Sequence, residues 1–210
     1  MNVWNLIGIF AWLALLAYLI FMINNIRARH LRMIVVHGKK RSGRTIAIDI
    51  AEVVVLLAAA YGLFFAAWVR PVDYASGKDV TVKHEYAPLV MQIDDDQQYY
   101  VTVQSQTAKS PLRHYTYWSE GTKVQVSSQN ADVAADASPL PISASAYPWS
   151  KKKLIALDKT TDKAFAATVT ARYKNNFLNG LGMRAGREAD YFTIIRVPNK
   201  QLINVQPLNK

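Results

Sequence analysis

The sequence predicts a membrane-anchored α+β protein: an antiparallel two-helix transmembrane hairpin, then a mainly antiparallel β domain forming a small sandwich or barrel. Three observations predict it. Two apolar runs fall within the first 69 residues, a strongly basic segment separates them, and the rest of the chain alternates with a period of two rather than 3.6. The boundary falls at Arg70-Pro71, which places the hairpin in residues 1–70 and the β-rich domain in 71–210.

The first run extends from Val3 to Ile23, with Asn5 as its one strongly polar residue. As a helix it covers roughly 31 Å, about one hydrocarbon thickness. A cleaved signal peptide would carry positive charge ahead of a shorter apolar core. No charged side chain precedes Arg27, so the run reads as an anchor. The second run, about Ile46 to Val69, has Asp49 and Glu52 near its start and is uninterrupted from Val53 onward. Pro71 ends it, because proline cannot continue a helix and restricts the residue before it.

Between the runs, the expected loop 24–45 carries Arg27, Arg29, Arg32, Lys39, Lys40, Arg41 and Arg44 and no acid. The positive-inside rule places it in the cytoplasm, with both termini and the β domain outside. Trp4 and Trp68 then share the outer interface, where tryptophan is favoured. The formal net charge of +10 is therefore mostly a topology signal. From Pro71 onward, 17 Lys and Arg stand against 13 Asp and Glu, and nucleic acid is not an expected partner. The chain has no cysteine, which excludes disulfides, a thiol nucleophile and cysteine-ligated metals.

Within the hairpin, Asp49 and Glu52 lie three apart and share a helix face. With Asn24 and Asn25 at the same level they can form a polar clasp between the helices; a proton or ion relay is the sharper alternative. Ala58, Gly62 and Ala66 recur every four residues, a stripe on which the first helix, a second copy or another membrane protein could pack.

Past Pro71, strands are predicted at Val80–Tyr86, Leu89–Ile93, Tyr99–Gln104, Lys123–Ser127, Phe165–Tyr173, Tyr191–Val197 and Leu202–Val205. The last is expected to pair with its predecessor through the turn at Pro198-Asn199-Lys200. Asp94 to Gln98 reads as a hairpin loop, since its spacing fits no EF-hand. Residues 131–150 are rich in Ala, Ser and Pro and are expected to be a loop. It runs into Trp149 and the cluster Lys151, Lys152, Lys153, either a solvated basic turn or a contact for an anionic membrane or wall polymer. Between Asn175 and Asp190, glycines accompany Arg184 and Arg187. That pattern suits an anion site of backbone N–H groups and guanidinium forks, or equally arginines paired with nearby carboxylates.

The run Gly182-Met183-Arg184-Ala185-Gly186-Arg187-Glu188-Ala189-Asp190-Tyr191-Phe192, continuing to Val197-Pro198-Asn199, resembles an uncharacterised family of small two-helix membrane proteins from lactic-acid bacteria. The resemblance takes in the helical start and the outer domain. It implies a single-membrane bacterium, and it carries over no activity and no functional residue.

Catalytic motifs are missing: there is no HExxH, no His-x-His and no Gly-x-Ser-x-Gly, and a sortase-type reaction needs a cysteine. No catalytic, cofactor-binding or metal residue is assigned, and no cofactor is expected. The sequence points to a non-enzymatic envelope protein whose partners are the lipid bilayer and another membrane protein or an anionic wall polymer. Two other classes stay open. One is an accessory subunit of a transporter or sensor docked through the Ala58, Gly62, Ala66 stripe. The other is an envelope hydrolase or transferase using outer carboxylates or His84 and His114.

Overall fold

A computed structural model describes residues 2–38, 42–72, 77–94, 97–105, 112–135 and 140–207. The chain divides into two compact units, Met1–Val72 with Tyr173–Arg187, and Asp73–Arg172 with Glu188–Lys210. The contacts thus add to the hairpin a segment distant from it in sequence.

In the first unit, α1 (Val3–His37) and α2 (Gly43–Phe64) run antiparallel. Asn2 caps α1, its side-chain oxygen accepting from the Trp4 N–H at 3.2 Å. The helix does not stop where the apolar run does. Residues 24–37, expected as loop, continue it for several turns because no glycine or proline interrupts them. Gly38, with φ 59°, supplies the left-handed residue that ends it. The connection to α2 therefore shrinks to a few residues, of which Lys39, Lys40 and Arg41 lie outside the described ones. Both helices are long and apolar enough to cross a membrane. Side chains such as Phe10, Leu16, Ile20, Val54 and Leu57 are exposed, so much of the apolar surface of both helices is left uncovered within the chain. A wide π turn, Phe65–Val69, prolongs α2; the Arg70 N–H donates to the Phe65 carbonyl at 2.8 Å, and Pro71 follows.

Among the described residues, the second unit has ten strands and one α-helix, α3 (Lys151–Thr160). The strands are β1 (Val80–Val90), β2 (Gln92–Asp94), β3 (Gln97–Tyr99), β4 (Val101–Ser105), β5 (Arg113–Ser119), β6 (Thr122–Ser127), β7 (Ala131–Ala134), β8 (Phe165–Tyr173), β9 (Glu188–Arg196) and β10 (Ile203–Pro207). The main sheet runs β10-β4-β5-β1-β8-β9-β7, with β6 also paired to β5. Most pairs are antiparallel; β10 on β4 and β7 on β9 are parallel. β2 and β3 form the expected hairpin as a separate ribbon, Asp94 opposite Gln97, and Asp95 and Asp96 lie outside the described residues.

The sheet curls on itself. Val101, Val103, Tyr115 and Tyr117 of β4 and β5 share one buried cluster with Ala131 of β7 and Ile195 of β9, although two to four strands intervene in the sheet order. The other face of β8 and β9 packs Phe165, Ala167, Val169, Phe192 and Ile194 under Leu154 and Leu157 of α3. Strands covered on both faces lose strict polar alternation, which explains the nearly continuous apolar run in β9. Thr168 and Thr193, opposite each other, bond through their hydroxyls at 3.0 Å. Leu154 is fully buried, and truncating it to alanine should cost about 2–5 kcal/mol.

Three expectations about this unit change. Val80–Tyr86 and Leu89–Ile93 are divided differently, since β1 runs unbroken to Val90 and Ile93 lies in β2. β10 pairs with β4 and not with β9: after Asn199 a 3-10 turn at Lys200–Leu202 redirects the chain, and the Tyr100 N–H bonds the Leu202 carbonyl. The expected loop 131–150 opens with β7 and contains a 3-10 turn at Ile142–Ala144 whose Ala144 is fully buried.

Candidate functional site

The hairpin carries a polar cluster at its connected end. Arg29 donates to Glu52 Oε1 at 2.8 Å and to Asp49 Oδ1 at 2.7 Å, and also reaches Glu52 Oε2. Asn25 Nδ2 donates to Glu52 Oε1 at 2.9 Å, and His30 Nε2 lies 3.0 Å from Asp49 Oδ2. Asn25, Asp49 and Glu52 thus meet, while Asn24 is exposed. Arg29 and His30 complete the cluster; the sequence signal for them was the one-turn spacing of Arg29 from Asn25 on the same helix face. One arginine against two carboxylates is a charge-assisted tie between helices, and the Tyr18 hydroxyl donates to the Glu52 carbonyl at 3.4 Å.

The Ala58, Gly62, Ala66 stripe does not mediate the α1–α2 contact. Ala58 and Gly62 are exposed, and a Cβ placed on Gly62 would meet nothing within 4 Å. The helices instead meet through side chains such as Trp12 and Trp68, edge to face at 5.9 Å between ring centroids. Ala66 is buried, because the segment 173–187 lies on the end of α2.

That segment holds the short helix α4 (Phe177–Leu181), capped by Asn176, whose side chain accepts from the Asn179 N–H at 2.8 Å. Arg184 donates to the Ala66 carbonyl at 3.1 Å and to that of Ala67, and its guanidinium lies over the Tyr173 ring at 5.6 Å. It is a cap: the last carbonyls of a helix lack intrahelical partners, and a cation there also meets the negative end of the helix dipole. Arg70 donates to Asn179 Oδ1 at 2.8 Å, and Asn5 Nδ2 to the Ala185 carbonyl at 3.1 Å, which gives the one polar residue of the first apolar run its purpose. Glycines permit the approach. A Cβ on Gly8 would lie 2.7 Å from the Gly180 and Leu181 carbonyls, and one on Gly180 would strike the Trp4 carbonyl. Arg187 is exposed beside this arrangement.

In the sheet unit, Trp149 and the lysine cluster take different roles. Lys151, Lys152 and Lys153 form the exposed first turn of α3, with Lys153 Nζ 4.2 Å above the Tyr86 ring. Trp149 is half-buried, donates to the Ala144 carbonyl at 3.0 Å and packs on His84, whose Nε2 lies 3.0 Å from the Pro148 carbonyl. His114 sits on another strand, opposite Gln104 and Ser127. Tyr147, stacked on Phe192 at 4.8 Å, donates to Asp190 at 3.1 Å; burial and that carboxylate push its hydroxyl up to about 12.

Opposite ends of the sheet border a groove of about 950 Å³. Val103, Tyr115, Val133, Ile203 and Val205 form much of its wall, and Arg113, Asp132 and Lys200 stand among them. β10 is paired only with β4, and β7 only with β9, among the described residues. The groove therefore lies where a further strand would be needed to close the curled sheet into a barrel. Asp132 is held by the Ser143 hydroxyl at 2.5 Å and the Val133 N–H at 2.8 Å. Burial, with Asp132 nearby, raises the Tyr115 hydroxyl above its ordinary range, and Arg113 opposes the shift. No sequence motif marks this groove, because its walls come from strands far apart in the chain.

These features define a class: α+β proteins in which an apolar two-helix hairpin precedes a curled, mainly antiparallel sheet. A family model described as ":-like" matches residues 3–204, nearly the whole length, and the chain belongs to that family, whose description names no activity. No curated protein and no solved structure matches the chain.

Proposed function

We propose that this is a non-enzymatic, membrane-anchored envelope protein whose sheet unit receives an extended segment of another membrane protein in the groove between β10 and β7. One observation carries the reading: among the described residues, two strand edges without a further neighbour flank a partly apolar groove of about 950 Å³. A strand docked there would satisfy backbone groups on an edge while alternate side chains enter the groove, the mode of β-strand addition. Anchoring rests on α1 and α2, whose exposed apolar surfaces suit lipid. Orientation rests on the basic side chains at the connected end of the hairpin, which favour the cytoplasmic face and put the sheet unit outside. A photocrosslinking residue at Val205 or Ile142, both exposed, should give the same adduct in intact cells, and one at Lys123 should not. Val205→Pro, which removes a backbone donor from the β10 edge strand, should abolish that adduct. Adducts that are absent, or equal at all three positions, would sink the reading.

A second reading is favoured by the exposed Ala58 and Gly62, which leave room for a helix of another subunit. Gly62→Leu should then disrupt assembly without altering the melting of the protein itself. Assembly unchanged in that variant removes this reading.

A further inference from the structure

α4 is an unusual place to find exposed apolar side chains. It is only five residues long, Phe177–Leu181, yet Phe177 is 56% and Leu178 46% exposed. Its other side is committed: Asn179 and Gly180 are buried against the hairpin. The two exposed side chains are not alone. Val3 and Trp4 at the start of α1, and Phe64 and Trp68 at the end of α2, are exposed as well. All six belong to one compact unit, and α4 packs on both helix ends.

Depth follows from the glycine contacts. Gly180 lies on Trp4, and Gly8 lies on Gly180 and Leu181. Gly8 is five residues inside α1, about 8 Å along its axis from Val3. α4 therefore lies beside the apolar run and not beyond its end. If α1 crosses a bilayer, the first 8 Å or so of its apolar run belongs to the headgroup and upper acyl zone, where tryptophan and phenylalanine are favoured.

Charge agrees with this placement. Residues 173–187 contain Lys174, Arg184 and Arg187 and no Asp or Glu. Arg184 caps α2, while Lys174 and Arg187 are exposed on either side of α4. A short helix with apolar side chains on its free face and cations at its flanks matches an interface carrying phosphate headgroups.

We infer that α4 is a third membrane contact: Phe177 and Leu178 insert into the headgroup and upper acyl region of the leaflet at the open end of the hairpin, with Lys174 and Arg187 at the phosphates. The inference rests on the proposal that α1 and α2 cross a bilayer. It makes the connection between β8 and β9 a membrane-embedded element and not a surface loop.

The absence of cysteine makes the test direct. Single substitutions Phe177→Cys, Leu57→Cys and Lys123→Cys are made in the full chain and labelled with an environment-sensitive fluorophore. Each is reconstituted into phosphatidylcholine vesicles containing phosphatidylglycerol, with nitroxide-bearing lipids quenching at a shallow or a deep acyl position. The expected result is a blue-shifted Phe177 probe that loses more emission to the shallow quencher than to the deep one. The Leu57 probe should lose more to the deep quencher, and the Lys123 probe should lose emission to neither. A Leu57 probe that neither lipid quenches overturns the bilayer-crossing proposal itself. A quenched Leu57 probe with an unquenched, solvent-like Phe177 probe overturns only the interfacial role of α4. A blue-shifted Phe177 probe that no lipid quenches, and that reverts when the protein is diluted among empty vesicles, shows a second copy covering the patch and also overturns it.

Discussion

Arg196 is 0% exposed, at the end of β9, and its guanidinium is held in a fork by Asp158 of α3. The Nε donor lies 2.9 Å from Asp158 Oδ1 and an Nη2 donor 3.1 Å from Oδ2, while Nη1 reaches the Ala134 carbonyl at 3.3 Å. Replacing Asp158 with asparagine keeps the shape, removes the charge and points an amide N–H₂ at a donor. The buried guanidinium loses the Asp158 carboxylate, a loss of about 3–5 kcal/mol. The Asp158 side chain is 13% exposed, so water can reach the edge of the pair and the lower end, about 3 kcal/mol, is expected. For a unit of this size each kcal/mol is worth about 3–5 °C, so the melting temperature should fall by roughly 10 °C. Melting of the full chain in detergent, followed by near-ultraviolet circular dichroism, reads this, and hydrogen exchange in β8 and β9 localises it. The double variant Asp158→Leu with Arg196→Met, which removes both charges and keeps apolar volume, should recover most of the loss. A single variant within about 0.5 kcal/mol of the parent, or a double variant as damaged as the single, would refute the reasoning.

Alkaline pH should weaken the sheet unit. The Tyr117 and Tyr147 hydroxyls are each pushed up to about 12, chiefly by burial, so the folded chain holds these protons more tightly than the unfolded one. Their contribution is complete below the ordinary tyrosine value of 10 and is lost as pH rises through 12; melts across that window, with and without Tyr147→Phe, should show a smaller alkaline loss in the variant. Gly180→Ala sets a Cβ against the Trp4 backbone, so residues 173–187 should exchange amide hydrogens faster while β8 and β9 exchange as before; unchanged exchange would contradict the close contact. Lys200→Cys should react with a membrane-impermeant maleimide in intact cells, and labelling only after lysis would put the sheet unit in the cytoplasm.

Length and apolarity made α1 and α2 legible, and the period of two in Phe165–Tyr173 made β8 legible to the residue. Charge obscured the rest of α1: Arg27, Arg29 and Arg32 read as a loop because topology rules weigh their sign, while their helix propensity went unused. β5 turns Tyr115, Tyr117 and Ser119 inward with Thr116 and the exposed Trp118 between, so neither its buried positions, two tyrosines and a serine, nor its outer face give a clean apolar-polar alternation. α3 opens on three lysines, unfavourable at a helix start, and shows few apolar positions before tertiary packing on Leu154 defines it. The grouping of Asn25, Asp49 and Glu52 could be read from helix geometry, whereas the role of Arg184 could not. Its acceptors lie more than a hundred residues earlier, and no local pattern records which helix end a loop will cap. The groove was equally hidden, being a property of which strands end up without neighbours.

The parallel pairing of β10 on β4 also sets an order of events. Ile203 sits opposite Val101, so an interior strand of the finished sheet waits for a segment about a hundred residues further along before one side of it is covered. Until then β4 presents a bare edge flanked by the apolar Val101 and Val103, a template for pairing with any other nascent chain. Local hairpins such as β5–β6 can form early, but this contact has to close a loop of about a hundred residues and will come late. Loss of β10 would therefore leave a complete hairpin and most of a sheet in a chain prone to aggregate through that edge.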